Sequence, residues 1–475
     1  MKMRVFTCLA TLMCVAIANG NEYQNAPYGY QTGYAGDAAV SQVGYCDCGE
    51  AVCGCEQAIA PECGCESAPV CGCESPMSCD GGCEATCGME LACEPGCDDY
   101  ISCDSGACDS GGGCGGGCPI GGLLGKFKGG SDEPFELFGS CGNLSMGGWI
   151  QMGYHDENNT LFNNRADEYN LHQAWLFAEK AIDTSNGFDI GGRIDYMYGI
   201  DSNDTQAFGT DPRGWDNDWD NGVGDAYGHA LPQAYFEAGY GDLSVKIGHF
   251  YTIIGWEVVT APDNFFYSHA YTMYNSEPFT HTGALGTYTP SEDVTVWGGY
   301  TLGWDSGFDD NGDNFLGGLS YALCDDLTLT YATTIGRFGA LPLGSPEKGY
   351  MHSIVADVTL TDKLQYIFQS DLLDTEDNNN NTARETFGIN QYLIYSVNDR
   401  VSLGGRFEWY NEEGVYSAVG QDSDIYALTI GANFKPCGNV IVRPEYRWDW
   451  DDDQVVGLAD GDEQQTFGID TIFLF

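Results

Sequence analysis

The chain has 475 residues, 70 of them acidic and 18 basic, for a net charge of −52 at pH 7. So acidic a chain does not bind nucleic acid through its phosphates, because that contact relies on Lys and Arg. Cysteines number 22 and aromatics reach 13%.

The N-terminus carries Lys2 and Arg4 ahead of the apolar run Val5–Ile17, with small residues at Ala16, Ala18 and Gly20. This pattern predicts a secretory signal over 1–20, too short for a membrane helix. Cys14 follows Thr11-Leu12-Met13, a poor lipoprotein box, so no acylation is expected. Residues 21–45, rich in Tyr, Gly, Gln and Ala, read as a flexible spacer.

Residues 46–118 hold 17 of the cysteines and no Lys or Arg. They open with four Cys-x-Cys pairs, Cys46/Cys48, Cys53/Cys55, Cys63/Cys65 and Cys71/Cys73. Large apolar residues are nearly absent there, so order must come from cross-links. After secretion the oxidised reading is disulfides, to a proteinaceous wall or to sister copies. The competing reading is soft-metal binding by thiolates. An odd count requires one cysteine to pair outside the segment or stay reduced, and Cys141, Cys324 and Cys437 are the candidates. Residues 119–142 read as a linker.

From 143 to 475 the chain reads as sixteen alternating β-segments, an all-β transmembrane antiparallel barrel. In 440–450, Val442, Tyr446, Trp448 and Trp450 share one face, and Arg443, Glu445, Arg447 and Asp449 the other. The same alternation runs through 188–198 and 401–409. Strands are predicted near 144–154, 171–180, 187–198, 231–239, 243–250, 282–289, 293–302 and 315–323. The other eight fall near 327–336, 351–360, 364–372, 386–395, 401–410, 424–434, 439–448 and 466–475. Tight turns such as Tyr240-Gly241-Asp242 and Asn398-Asp399-Arg400 alternate with long polar stretches at 199–230, 251–281, 373–385 and 449–465. An even strand count puts both barrel ends on the short-turn rim, the periplasmic side, along with every mature cysteine. The chain ends on an aromatic strand with Phe473 and Phe475 on one face, as expected of a barrel's terminal signal.

Within the strands Arg193, Asp195, Lys246, Arg406, Glu408, Arg443, Glu445 and Arg447 fall on the polar face and are the candidate pore-lining residues. Opposed charges in a lumen create a transverse field; the plainer reading is that the cations pair with their acidic neighbours. The stretch 251–281 is too aromatic for a solvated loop. Trp256, Glu257, Phe265, Phe266, Tyr267, Tyr271 and Tyr274 are expected to fold inward and narrow the pore over 256–279. Asp216, Asp218 and Asp220 alternate like an EF-hand, but Asn221 replaces the required Gly and the closing Glu is missing. Only loosely held Ca²⁺ at acidic loops is expected, and no other cofactor. None of the seven histidines falls in a nucleophile–base or metal motif, so no enzyme is expected.

Several segments resemble the OmpL-like β-barrel porin family, in the form found in planctomycete-type bacteria. They are Gly147-Gly148-Trp149-Ile150-Gln151, Gln173 to Lys180, Gly191-Gly192-Arg193-Ile194-Asp195, Lys246-Ile247-Gly248-His249-Phe250 and Gly255-Trp256-Glu257. The resemblance covers 143–475. It implies a bacterial outer-membrane channel for small polar solutes, surrounded by lipid, and it admits a homotrimer. The alternative is a sealed barrel that anchors membrane to wall through disulfides, with its N-terminal segment in the periplasm.

Overall fold

The computed structural model describes residues 144–475, apart from 160, 208–214, 218, 220–225, 309–311, 341–345, 415–422, 452–457 and 459–460. The signal, spacer, Cys-rich and linker segments therefore lie outside the described residues. With them go the disulfide candidates Cys46, Cys48, Cys53, Cys55, Cys63, Cys65, Cys71, Cys73 and Cys141, and of the acidic triplet Asp218 and Asp220.

Sixteen strands pair in chain order and close on themselves. They are β1 (Leu144–His155), β2 (Tyr169–Lys180), β3 (Phe188–Gly199), β4 (Gly228–Tyr240), β5 (Leu243–Tyr251), β6 (Thr280–Ser291), β7 (Val294–Thr301) and β8 (Asp313–Cys324). The second half comprises β9 (Leu327–Ala340), β10 (Pro346–Thr361), β11 (Leu364–Glu376), β12 (Thr382–Asn398), β13 (Val401–Glu413), β14 (Ser423–Cys437), β15 (Val440–Asp451) and β16 (Glu463–Leu474). Every neighbouring pair is antiparallel. The circle closes where Trp149 faces Leu474 and His155 faces Gly468. Phe475 adds reciprocal backbone bonds with Gly148 of 2.8 and 2.9 Å. Closure leaves no strand edge with unpaired backbone groups. No helix among the described residues is long and apolar enough to cross a membrane.

The two faces are inverted relative to a water-soluble sandwich. Along β15, Arg443, Glu445, Arg447, Asp449 and Asp451 point inward and are buried, while Val442, Pro444, Tyr446, Trp448 and Trp450 point outward. The outer wall carries Ile190, Ile194, Phe236, Ile247, Phe315, Ile335, Leu393 and Ile430, all exposed to the surroundings. In water such a belt would be a severe aggregation liability; in lipid it is the solvated face. Exposed Tyr240, Tyr288, Tyr321 and Tyr395 ring the short-turn rim, and Tyr169, Tyr196, Tyr300 and Tyr426 the opposite one, as interfacial girdles do.

The turn pattern corresponds to the sequence reading, with β4–β5, β6–β7, β8–β9, β10–β11, β12–β13 and β14–β15 joined by two residues each. Many strand ends lie a few residues from those expected, most clearly around β10 to β12. β10 begins at Pro346 rather than near 351, β12 runs Thr382–Asn398 rather than 386–395, and the connection expected over 373–385 shrinks to 377–381. These strands continue beyond the apolar belt through polar residues such as Asp374, Glu376 and Glu385. Ladder bonding does not require an apolar side chain, so hydropathy alone ends such strands too early.

Close packing of β1 on β2 depends on Gly148, where an added Cβ would stand 2.0 Å from the Trp175 carbonyl oxygen. Gly148→Val is expected to abolish the compact, heat-modifiable band on electrophoresis after refolding. Gly405→Ala, where the nearest atom is 3.9 Å away, is expected to leave that band intact.

Candidate functional site

The connection between β5 and β6 does not stay on the rim. Its neck is closed by Thr252 N–H donating to the Phe279 carbonyl at 3.0 Å. Between these residues the chain enters the barrel interior, with one short helix, α1 (Tyr271–Ser276). Ile253 and Ile254 pack with the inward residues Leu285, Trp297, Leu316, Met351 and Leu373 of β6, β7, β8, β10 and β11. This apolar contact is what draws the root of the loop inside.

The middle of the loop is held by charge. Glu257 accepts from Arg406 Nη1 at 2.7 Å, from the Tyr392 hydroxyl at 3.0 Å and from Ala270 N–H at 2.8 Å. Burial works against the Glu257 charge, but the Arg406 guanidinium, His269 and the Ala270 amide outweigh it and hold the carboxyl below its ordinary value. Arg406 also donates to the Ser268 carbonyl at 2.7 Å, and Arg447 to the His269 carbonyl at 2.8 Å. Arg443 takes the carbonyls of Ala261 and Asn264, both at 2.7 Å. Glu445 accepts from the amides of Tyr267 and Ser268 at 2.8 and 3.1 Å, and Glu408 from Tyr271 N–H at 2.8 Å. Wall arginines thus satisfy loop carbonyls while wall glutamates satisfy loop amides, the requirement for burying irregular backbone.

The aromatic residues fit glycine clearings in the wall. Tyr267 lies where Gly153 and Gly468 have no side chain, and Phe265 where Gly404 has none. The Tyr267 hydroxyl meets His172 Nε2 at 2.6 Å and His155 Nδ1 at 3.2 Å, and His172 passes on to Asp201 at 2.8 Å. Phe266 packs with Val355, Ile367 and Tyr392. Tyr271 stacks on Tyr410 with ring centroids 6.1 Å apart. Tyr274 donates to Asp204 at 2.7 Å, and Trp256 N–H reaches Gln369 at 3.2 Å.

Of the eight candidate pore-lining residues, Arg406, Glu408, Arg443, Glu445 and Arg447 come together under this loop, all buried. Arg193, Asp195 and Lys246 form a separate patch on β3 and β5. There Arg193 pairs with Asp195 at 2.7 Å and Glu179 at 3.1 Å, over the Phe177 ring, and Lys246 lies over Tyr235. Sequence reading missed Gln173, Gln369, Tyr392 and the Glu347–Arg384 pair, although strand parity puts Gln369 and Tyr392 on the inner face. Asp216 is buried and accepts from Ala207 and Leu231 amides at 2.8 and 2.7 Å, so its carboxylate is a loop-folding element. No set of three or more His, Cys, Asp or Glu side chains converges on a metal position among the described residues. Cys324 and Cys437 end β8 and β14 on the short-turn rim.

A closed sixteen-stranded antiparallel cylinder, apolar outside and charged within, is an outer-membrane β-barrel of the porin class. Residues 143–475 match the family model described as "Putative beta-barrel porin-2, OmpL-like", and the chain belongs to that family. Among solved structures it is similar to the trimer form of the in-vitro folded outer-membrane protein OmpT of Vibrio cholerae, with TM-score 0.47 and 12% identity, covering 70% of this chain and 99% of that one. It is also similar to an anion-selective porin from Comamonas acidovorans (TM-score 0.49, 9% identity, 70% and 99% covered). A third is the outer-membrane channel DcaP of Acinetobacter baumannii (0.47, 9%, 72% and 100%). No curated protein matches.

Arg406→Met leaves Glu257 buried without its guanidinium and is expected to destabilise the barrel by about 3–5 kcal/mol in urea unfolding. Two loop acids give a pH signature. Burial pushes the carboxyls of Asp204 and Asp305 up to about 7, against hydrogen bonds from Tyr274 and from the Phe279 and Thr280 amides respectively. Each group binds a proton more readily folded than unfolded, so stability falls as pH rises from about 4 to 7. The double variant D204N/D305N is expected to flatten that fall in urea titrations across the same window.

Proposed function

We propose that this protein is a passive, water-filled outer-membrane channel for small polar or ionic solutes, narrowed by residues 256–279 of the inward loop. The observation that carries this reading is the attachment of the loop to the inner wall on opposite sides of the bore. Gln369 of β11 holds one part, and Arg443 of β15 with Gln173 of β2 another. Solutes then pass beside the loop, with Trp256, Glu257, Phe265, Phe266, Tyr267, Tyr271 and Tyr274 setting the free cross-section. Arg193, Asp195 and Lys246 line the lumen on the β3–β5 side.

Tethering is the second element. Cys324 and Cys437 on the short-turn rim support a periplasmic cysteine face, shared with the Cys-rich segment, that cross-links to wall protein or sister copies. A homotrimer is compatible with the exposed apolar outer wall. The sealed-anchor alternative draws support from the apolar packing of Ile253 and Ile254 against β6 to β11, which fills that side of the bore.

Single-channel recording on the full chain in a planar bilayer tests the channel. Discrete conductance steps are expected. Replacing 262–276 by a short Gly/Ser bridge is expected to enlarge them, provided heat-modifiability shows that the barrel closes. A folded barrel that never conducts would move the wall anchor to first place. For the tether, electrophoresis without reductant is expected to show species larger than the monomer that collapse on reduction.

A further inference from the structure

Among the described residues the inner wall holds six basic side chains, and five are arginines consumed by ion pairs. Arg193 takes Asp195 and Glu179, Arg384 takes Glu347, and Arg406 takes Glu257 and Glu408. Arg443 takes Asp470, and Arg447 takes Asp449 and Glu408. Seven carboxylates thus surround five guanidinium groups before any other interior acid is counted. The side chains of Arg406, Arg443 and Arg447 are 0, 3 and 0% exposed, and each also donates to a loop carbonyl. They anchor the loop, and burial keeps them from direct contact with a passing anion.

One acidic pair has no such partner among the described residues. Glu277, at the returning end of the loop, and Asp371, on the inner wall of β11, both accept from the same nitrogen, Gln369 Nε2, at 2.5 and 2.8 Å. Both are buried. Ser353 faces Asp371 in register on β10, and no cation stands against either carboxyl among the described residues. Gly255 packs directly on the Glu277 carboxylate, where a Cβ would clash. Neutral donors supply no positive charge to balance two carboxyls in a site of low dielectric. Even with one proton shared between them the pair keeps a negative charge, and its field reaches well beyond contact distance.

We propose that the channel prefers cations to anions, and that the Glu277–Asp371 pair at the root of the inward loop is the uncompensated centre that sets this preference. The inference rests on the channel reading above and adds the class of solute: small cations, hydrated or organic, drawn by the field of the pair.

The test is the reversal potential of the full chain in a planar bilayer under a KCl gradient. The expected K⁺ to Cl⁻ permeability ratio is roughly ten or more, within the range by which a charged cleft concentrates counter-ions. D371N and E277Q are each expected to lower that ratio towards one while conductance steps persist. A purely structural role for the pair would alter conductance or stability and leave the ratio unchanged. E277Q carries the test if D371N does not fold, since its amide oxygen still accepts from Gln369. A ratio below one in the wild type, or an unchanged ratio in the conducting variants, overturns the proposal. A folded chain that never conducts overturns it together with the channel reading.

Discussion

Everything in this molecule follows from the need to pair every backbone N–H and C=O where no water reaches them. Sixteen strands meet that need by closing into a cylinder, and closure creates a second problem inside. A bore this wide is not filled by the side chains of its own wall. The β5–β6 loop enters it and brings irregular backbone whose amides and carbonyls must also be paired. The inner-wall arginines and glutamates answer that second demand. Arg443, Arg406 and Arg447 cap carbonyls of Ala261, Ser268 and His269, while Glu445 and Glu408 cap amides of Tyr267, Ser268 and Tyr271. The charged face of β13 and β15 is therefore the scaffold for the loop.

This arrangement explains why charge inside the barrel is tolerated. A buried ion is expensive unless it is paired and hydrogen-bonded, and Arg406 pairs with Glu257 and Glu408 and donates to the Ser268 carbonyl. The Glu277–Asp371 pair has no cation against it among the described residues and shares one glutamine amide between two carboxyls. Sites that violate the general rule of a structure are where function is most usefully sought.

The barrel itself was readable because a period of two is short and repeats in each segment. Val442, Tyr446 and Trp448 against Arg443, Glu445 and Arg447 suffice to set both faces of β15. The inward course of 252–279 was readable from its aromatic content. The contacts that hold it were not. Arg406 meets Glu257, 149 positions away, and Tyr267 meets Glu445, 178 positions away. Parity says that both wall residues face inward but not which loop residue arrives. The ends of β10 and β12 were hidden for another reason: beyond the apolar belt, strand pairing continues without a hydropathy signal.

The placement of Tyr267 also ties the interior to the barrel's closure. Its amide is held by β15, its hydroxyl by β1 and β2, and its ring lies over Gly468 of β16 and Gly153 of β1. One residue from the middle of the chain therefore sits beneath the seam where the first strand meets the last. The inward loop therefore braces the closure, its middle fastened on both sides of a seam between strands about three hundred positions apart. A loop that lost this seat would leave the seam with its ladder bonds alone.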